Sequence, residues 1–389
     1  MRVLVFGHWL EIGGTQVNAI ELAATLRDLH GHDVTYFATP GPMLDLVRAK
    51  SLRFLPAPPA RVHPSPARMA ELRRVLRQER FDVIHAWDWW QCLDAYYVAH
   101  LAMRFPLAIT DMSMILHRVL PRSLPTTFGT PELVDLARSK GHRRAELILP
   151  PVDVHQNSPE TVDPRPFRRE HGIGDSEVLL VSVSRLATTM KAESLRRIID
   201  VVRTLGRDLP LRLVIVGEGT ARAELEALAA SANEELGRPA VALPGALFDP
   251  RPAYAAADVV VGMGGSALRA MAFAKPVLVV GERGFSAIFG PETAEAFHYR
   301  GMYGIGDGSP SNEQLAAHIR ELAGSPEQLR ALGEFSRRFV VEHHALEAVG
   351  ARLEGFLRAA AGEAPRLSAA AADGLRTAAV WLRERRFKW

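Results

Sequence analysis

The chain has 389 residues, 48% of them hydrophobic and 23% charged, with a formal net charge of +3. That length exceeds one ordinary core and favours two domains, within the composition range of globular proteins. Basic and acidic residues are interspersed with no concentrated basic stripe, which argues against a nucleic-acid partner, and one cysteine, Cys92, excludes an internal disulfide framework or a thiolate metal site and fits a reducing cytoplasm.

The opening "MRVLVFG" reads as a core strand with no signal peptide before it. Further apolar runs predict strands at 33–38, 81–86, 106–110 and 145–150 in the first half. The second half repeats the rhythm at 178–184, 211–217, 240–245, 258–262 and 276–281. These runs are continuously apolar rather than alternating, the pattern of parallel sheets covered on both faces. Segments of helical period separate them. In the first, Val17, Ile20 and Ala24 share a face, and Thr15 is the expected N-cap. Strands alternating with helices predict an α/β protein. The Pro-rich polar stretch 150–177 marks a boundary. The expected fold is therefore two Rossmann-like domains, 1–155 and 165–345, facing a cleft. Closing helices over 346–389 are expected to pack back across both. The basic tail from 375 to Trp389 reads as a solvated helix packed on one side rather than a membrane-surface segment. No run approaches the roughly 18 apolar residues that span a bilayer. Nothing in the sequence sets an oligomeric state.

Candidate chemistry sits where strands meet helices, since ligands of doubly wound sheets bind beyond the carboxyl ends of the strands. In "FGHWLEIGGTQ", Gly13 and Gly14 open the first helix and suit either an anion or sugar site or a plain tight turn. In "VIHAWDWWQ", His85, Trp87 and Asp88 follow a strand; the tryptophans fit a flat sugar or ring acceptor as well as they fit a core. Asp111 ends the next strand. In "VSVSRLATTMK", Arg185 and Lys191 form a cation pair able to clamp a diphosphate, Arg as a fork and Lys as a point charge. Gly217 and Glu218 lie in a nucleotide-type turn, and Thr220 is expected to cap the helix that follows. Gly262, Gly264, Gly265 and Ser266 form a compact anion-binding nest at a helix start, with the capping role given to Ser266. The dinucleotide fingerprint, Walker loop, zinc-protease helix and nucleophile elbow are all missing.

In order and spacing these segments resemble the GT-B glycosyltransferases, especially the retaining family-4 enzymes, over about residues 1–345. "GGTQ" resembles that family's acceptor-domain loop, "SRLATTMK" its Arg and Lys stretch, and "ADVVVGMGGSALRAMAFAKPVLV" its Gly-rich donor loop. The resemblance implies a cytoplasmic transferase that uses a nucleotide sugar as substrate and needs neither a further cofactor nor a metal. It would move the sugar with retention to a hydroxyl of a small-molecule acceptor, in natural-product biosynthesis on one reading. Arg185, Lys191, Asp111 and His85 would be the catalytic set. Gly217, Glu218, Gly262, Gly264, Gly265, Ser266, Arg269 and Glu282 would bind the donor. Gly13, Gly14, Trp87 and Asp88 would bind the acceptor.

The chain departs from the family at the two donor-loop glutamates, whose positions hold Val261 and Arg269, and at a histidine with no counterpart in "TDMSM". An arginine cannot accept a hydrogen bond from a ribose hydroxyl. The open readings of Arg269 are four: a donor such as a dTDP-sugar that needs no such clamp, a charged group on donor or acceptor, a ribose contact moved to Glu218 or Glu282, or a salt-bridged structural arginine. The alternative functions are a GT-B nucleotide-sugar epimerase and a glycosyltransferase-like partner protein without catalysis.

Overall fold

The computed structural model describes residues 1–363 and 367–386. The chain divides into two compact units. The first comprises Met1–Pro151 and the chain from Leu346 onward; the second comprises Val152–Ala345.

The first unit holds seven strands: β1 (Arg2–Phe6), β2 (Asp33–Ala38), β3 (Arg53–Pro56), β4 (Val83–Trp87), β5 (Leu107–Asp111), β6 (Thr126–Phe128) and β7 (Ala145–Leu147). They form one parallel sheet in the order β3-β2-β1-β4-β5-β6-β7. The second unit holds β8 (Val178–Val183), β9 (Leu211–Val216), β10 (Val241–Gly245), β11 (Val259–Gly262), β12 (Val277–Val280) and β13 (Ser286–Ile288). Their order is β10-β9-β8-β11-β12-β13, parallel except that β13 runs antiparallel to β12. Both are doubly wound α/β sheets. In each, the strand order reverses beside the first strand, between β1 and β4 and between β8 and β11, which makes those places the switch points where a crevice forms.

The central strands are the continuous apolar runs of the sequence, and Val3, Leu4, Val5, Val181, Val214 and Val260 are all buried. The strands that sequence pattern misses are β3, β6 and β13, with sequences RFLP, TTF and SAI. β3 and β13 lie at sheet edges, and β6 is only 3 residues long. Neither kind of strand needs a two-faced apolar run.

Two segments differ from expectation. The stretch after 150 is packed: Val152, Val154, Phe167 and Ile173 are buried in the core of the second unit, and Arg165–Glu170 is helical. The closing helices pack on the first unit. Helix Leu346–Ala361 lies on helix Gly14–Asp28, where Gly350 leaves room for the Thr25 methyl. In helix Leu367–Arg386, the backbone carbonyls of Ala370 and Gly374 accept hydrogen bonds from Tyr96 (2.6 Å) and Tyr97 (3.1 Å). The expected one-sided helix reaches Arg386, and the tail residue Trp389 lies outside the described residues. Among the described residues no helix is long and apolar enough to cross a membrane.

Candidate active site

In the second unit, the residues expected to bind the donor gather on the loops leaving β8, β9, β11 and β12. The Gly217–Gly219 turn is a backbone zipper against the loop after β8. The Leu186 N–H donates to the Glu218 carbonyl (2.8 Å), and the Ala221 N–H donates to the Leu186 carbonyl (2.8 Å). A Cβ at Gly217 would collide with the Ser184 carbonyl oxygen, and one at Gly219 with that of Leu186. Glycine is required here by the approach of two backbones, which holds the Ser184–Leu186 segment in place. Thr220 does not cap the following helix, Arg222–Leu236; its hydroxyl instead accepts from the Thr188 N–H at 3.3 Å.

Arg185 projects into solvent from that segment, and among the described residues its side chain has no hydrogen bond or ion pair. Lys191 is the N-cap residue of helix Ala192–Leu205. Burial, together with the charge of Arg185, lowers its pKa to about 8, against the opposing pull of Glu282. The three side chains therefore share one electrostatic neighbourhood. Glu282 is held by the Tyr303 hydroxyl, which donates to its carboxylate. Glu193, in the first turn after Lys191, accepts from the N–H groups of Arg283 (2.9 Å) and Gly284 (2.8 Å) and so latches the loop after β12 to the start of this helix. Glu218 is engaged elsewhere, in an ion pair with Arg222.

The Gly262–Ser266 turn closes β11 and starts helix Gly265–Ala272. Gly264 is the N-cap at φ +59°, a conformation that favours glycine, and its N–H is spent on the Met302 carbonyl at 2.7 Å. The first-turn N–H groups of Gly265, Ser266 and Ala267 point out of the helix end with no intrahelical acceptor. Ser266 is inside the helix and is not its cap; its hydroxyl accepts from Tyr254 at 3.1 Å. The segment 302–304, which the sequence did not single out, stitches the site together. It receives the Gly264 N–H on Met302, donates from Tyr303 to Glu282, and accepts the Glu282 N–H on Gly304 (3.0 Å).

Arg269 folds back along its own helix, as helical side chains do, over this first turn. Its Nη1 donates to the Gly265 carbonyl at 3.4 Å, and its Nη2 is buried with no hydrogen-bond partner. No carboxylate pairs with it among the described residues, so the salt-bridged reading lacks its acid. Val261 is core, 1% exposed within β11.

In the first unit the outcome is mixed. His85 and Trp87 are corrections: both are buried in β4, with exposures of 1% and 0%. His85 shares a hydrogen bond with Thr110 (2.7 Å), which continues to Thr127 (2.8 Å), a polar ladder across β4, β5 and β6. Burial pushes its pKa down to about 3, so it stays neutral. Trp87 packs in the core beneath helix Gly14–Asp28. Gly13, and not Thr15, is the N-cap of that helix; Thr15 lies within its first turn. A Cβ on Gly14 would meet nothing.

Asp88 and Asp111 do come together. Asp88 sits at φ +68°, uncommon for a residue other than glycine. Its Oδ1 accepts the Trp89 N–H (2.7 Å), and its Oδ2 lies 3.4 Å from His8 Nε2. Asp111 is fully buried; Oδ1 accepts the Ser113 N–H (2.9 Å) and Oδ2 has no partner. Burial and the neighbouring Asp88 charge raise Asp111 to about 7. His8 and His117 were not singled out by the sequence; His117 joins the pair from the loop after β5. Around them the strand-end loops expose Trp9, Ile12, Met114 and Ile115, and helix Asp88–Ala95 exposes Trp90, which stacks on His63 with ring centroids 4.6 Å apart.

Residues 12–149 match the family described as Glycosyltransferase Family 4, and residues 177–325 match the Glycosyl transferases group 1 family. The protein is a GT-B glycosyltransferase. No curated protein matches this glycosyltransferase by sequence. Solved structures share its fold at low identity. A glycosyltransferase from Rickettsia africae ESF-5 superposes with a TM-score of 0.73 at 12% identity, covering 93% of this chain and 99% of its own. HepE of Anabaena, solved in complex with UDP and glucose, superposes at 0.71 and 15% identity, covering 92% and 99%. WaaG, a glycosyltransferase involved in lipopolysaccharide biosynthesis, superposes at 0.62 and 18% identity, covering 91% and 99%. The chain spans nearly the whole length of each.

Proposed function

We propose that this glycosyltransferase moves a sugar from a nucleoside-diphosphate donor to a hydroxyl of a small acceptor with an apolar body. The observation that carries the reading is the meeting of Arg185 and Lys191 at the carboxyl edge of the second sheet. Among the described residues Arg185 has no acid of its own, and Lys191 is held half-buried at a helix start. Two cations that repel each other in the free protein are stabilised by an anion placed between them. The first turn of helix Gly265–Ala272 adds backbone N–H groups on the same edge. As the anomeric carbon–oxygen bond breaks, charge develops on the departing diphosphate, and fixed cations and N–H dipoles stabilise it. Arg185, with its planar fork, suits two phosphate oxygens; Lys191 acts as a point charge.

Glu282 supports a ribose-contact role, since Tyr303 and the Gly304 backbone hold it beside Lys191, whereas Glu218 is spent on Arg222. The apolar acceptor is supported by Trp9, Ile12 and Ile115, exposed on the loops after β1 and β5, and by Trp90, exposed in the first turn of helix Asp88–Ala95 after β4; flat apolar rings favour ring systems of a natural-product kind. Retention of configuration and independence from any further cofactor rest on the family resemblance. A reducing, cytoplasmic setting is supported by the lone, buried Cys92.

The test is a thermal-shift and calorimetry panel of UDP, GDP, dTDP and their sugars at millimolar concentration. At least one member is expected to stabilise the chain. Lys191→Ala should weaken that ligand by about tenfold or more, the scale of one charged hydrogen bond. A panel in which nothing binds, or unchanged affinity in the variant, defeats the donor-site reading. Release of product from donor and acceptor together, and not from donor alone, separates transfer from epimerisation.

A further inference from the structure

We propose that the cavity at the amino edge of the first sheet is a second ligand site, which takes a small organic phosphate: one phosphoryl group on an apolar body. The cavity holds about 710 Å³, within the range of small-molecule sites. It lies where β5, β6 and β7 begin: Leu107 opens β5, Pro125 precedes β6 and Arg144 precedes β7. Ala360, at the end of helix Leu346–Ala361, and Ala370, Asp373 and Arg376 of helix Leu367–Arg386 complete its wall. Asp88 and Asp111 stand at the opposite, carboxyl edge of the same sheet, so a ligand in this cavity is neither the donor nor the acceptor.

The lining carries more positive charge than its acids use. Four arginines, Arg122, Arg143, Arg144 and Arg376, line the cavity with two carboxylates, Glu363 and Asp373. Arg144 pairs with Glu363 at 2.8 Å. Arg376 is fixed on three sides: its Nε donates to Asp373 (2.8 Å), its Nη1 to the Arg118 carbonyl (3.0 Å) and its Nη2 to the Leu120 carbonyl (2.6 Å). Asp373 also accepts the N–H (2.8 Å) and the hydroxyl (2.9 Å) of Ser123. Arg122 and Arg143 are exposed, and among the described residues neither has a hydrogen bond or an ion pair. Two buried histidines register this field. Burial and the charges of Arg376 and Arg122 push His142 down to about 4, against the pull of Asp373, and its Nδ1 has no partner. Burial and Arg144 likewise lower His100, against its bond to the Phe105 carbonyl (3.0 Å).

Local structure brings the two unpaired arginines to one rim. Gly141, at φ +93°, follows helix Pro131–Ser139 and turns the chain directly into Arg143, Arg144 and β7. The Arg122 side chain lies across that turn: a Cβ on Gly141 would sit 3.6 Å from Arg122 Cδ. A guanidinium fork grips two phosphate oxygens at once, and two unpaired forks match one phosphoryl dianion. Pro106, Leu107, Leu124 and Pro125 make the rest of the wall apolar, which favours a phosphate ester with an apolar body over inorganic phosphate.

The experiment titrates the full chain with phenyl phosphate by calorimetry, with phenol and inorganic phosphate as controls. One saturable site of millimolar or better affinity is expected, and each control should bind at least about tenfold more weakly. Arg122→Gln and Arg143→Gln should each weaken the ester about tenfold or more, the scale of one charged hydrogen bond, without changing stability, because neither side chain has a partner to lose. Lys191→Ala, at the edge of the second sheet, should leave this binding in place, and hydrogen exchange should slow in helix Leu367–Arg386 when the ester binds. No saturable binding overturns the proposal. So does affinity that the folded Arg122→Gln/Arg143→Gln double variant retains, loss of the site in Lys191→Ala, or equal binding of inorganic phosphate. Pelleting with phosphatidylglycerol vesicles in the absence of phenyl phosphate binding overturns it as well, and would assign these arginines to a lipid surface. The site does not rest on the transferase reading: failure here leaves glycosyl transfer standing, and failure of the nucleotide panel leaves this site standing.

Discussion

The two sheets end in loops of different construction. Beyond the second sheet, the site is made of backbone and cations. Gly217 and Gly219 let one loop lie directly against another, Gly264 turns a strand into a helix, and Arg185 and Lys191 stand at the rim. Beyond the first sheet, the site is made of buried side chains. Asp111 is fully enclosed, Asp88 holds an uncommon backbone angle, and His8 and His117 approach from different loops. Gly7 and Gly41 there are also crowded, by the Tyr36 ring and the Leu10 carbonyl, whereas nothing approaches Gly14 at the start of the first helix. The difference teaches that a phosphate-type edge is organised by steric necessity in the backbone. The edge of the first sheet adds to such close approaches a set of buried polar side chains, one of which, Asp111, keeps an oxygen without a partner.

The sharpest way to break this contrast is Gly217→Ala. The added methyl would meet the Ser184 carbonyl, so the second unit should lose several kcal/mol, about 3–5, or fail to fold, as read by chemical denaturation. Near-native stability would mean that the zipper of loops does not carry the edge.

Next in size is the pH dependence of donor binding. Lys191 is lowered to about 8 by burial and by Arg185, so it is charged at pH 7 and neutral by pH 9.5. Affinity for the best nucleoside diphosphate should fall about tenfold across that span, and Lys191→Arg should flatten the profile. The ligand-free chain should behave oppositely. Between about 8 and the ordinary 10.5 the unfolded lysine keeps its proton and the folded one has lost it, so this group makes the protein more stable as pH rises there.

Arg269→Gln sharpens the comparison further. The guanidinium has one weak bond and one buried nitrogen without a partner, so its removal should change stability by less than about 1 kcal/mol. Donor or acceptor affinity should move by more than that. Equal loss in both would make Arg269 a structural residue. The smallest effect belongs to Gly14→Ala, which should be neutral or stabilising by about 0.5 kcal/mol, in opposition to Gly217→Ala.

Helix starts show where reading residue types along the chain falls short. Thr15, Thr220 and Ser266 all have the chemistry of a cap, yet Gly13, Ala221 and Gly264 occupy those positions. Two of the three hydroxyls are used by distant groups, Thr220 by the Thr188 N–H on a neighbouring loop and Ser266 by Tyr254 on a neighbouring helix. A short hydroxyl bonds whichever group packing brings near, and local sequence does not contain that group. His85 and Trp87 mislead in the same way. Their place at a strand end suggested substrate contact, but strand alternation and the helix above turn both into the core.

By itself the sequence determined the two parallel sheets, the order of their central strands along the chain, and the glycine and cation loops beyond the second sheet. Those features are local: a continuous apolar run makes a covered strand, and glycine where two backbones touch tolerates little else. Tertiary structure alone decided which side chains meet. It returned the last helices to the first unit, left Arg269 without an acid, held Glu282 by Tyr303 within reach of the Lys191 charge, and brought Asp88, Asp111 and His117 within 4.8 Å of one another. Such contacts depend on how far a strand runs before its loop turns and on what packs above it, and neither quantity is written in the neighbouring residues.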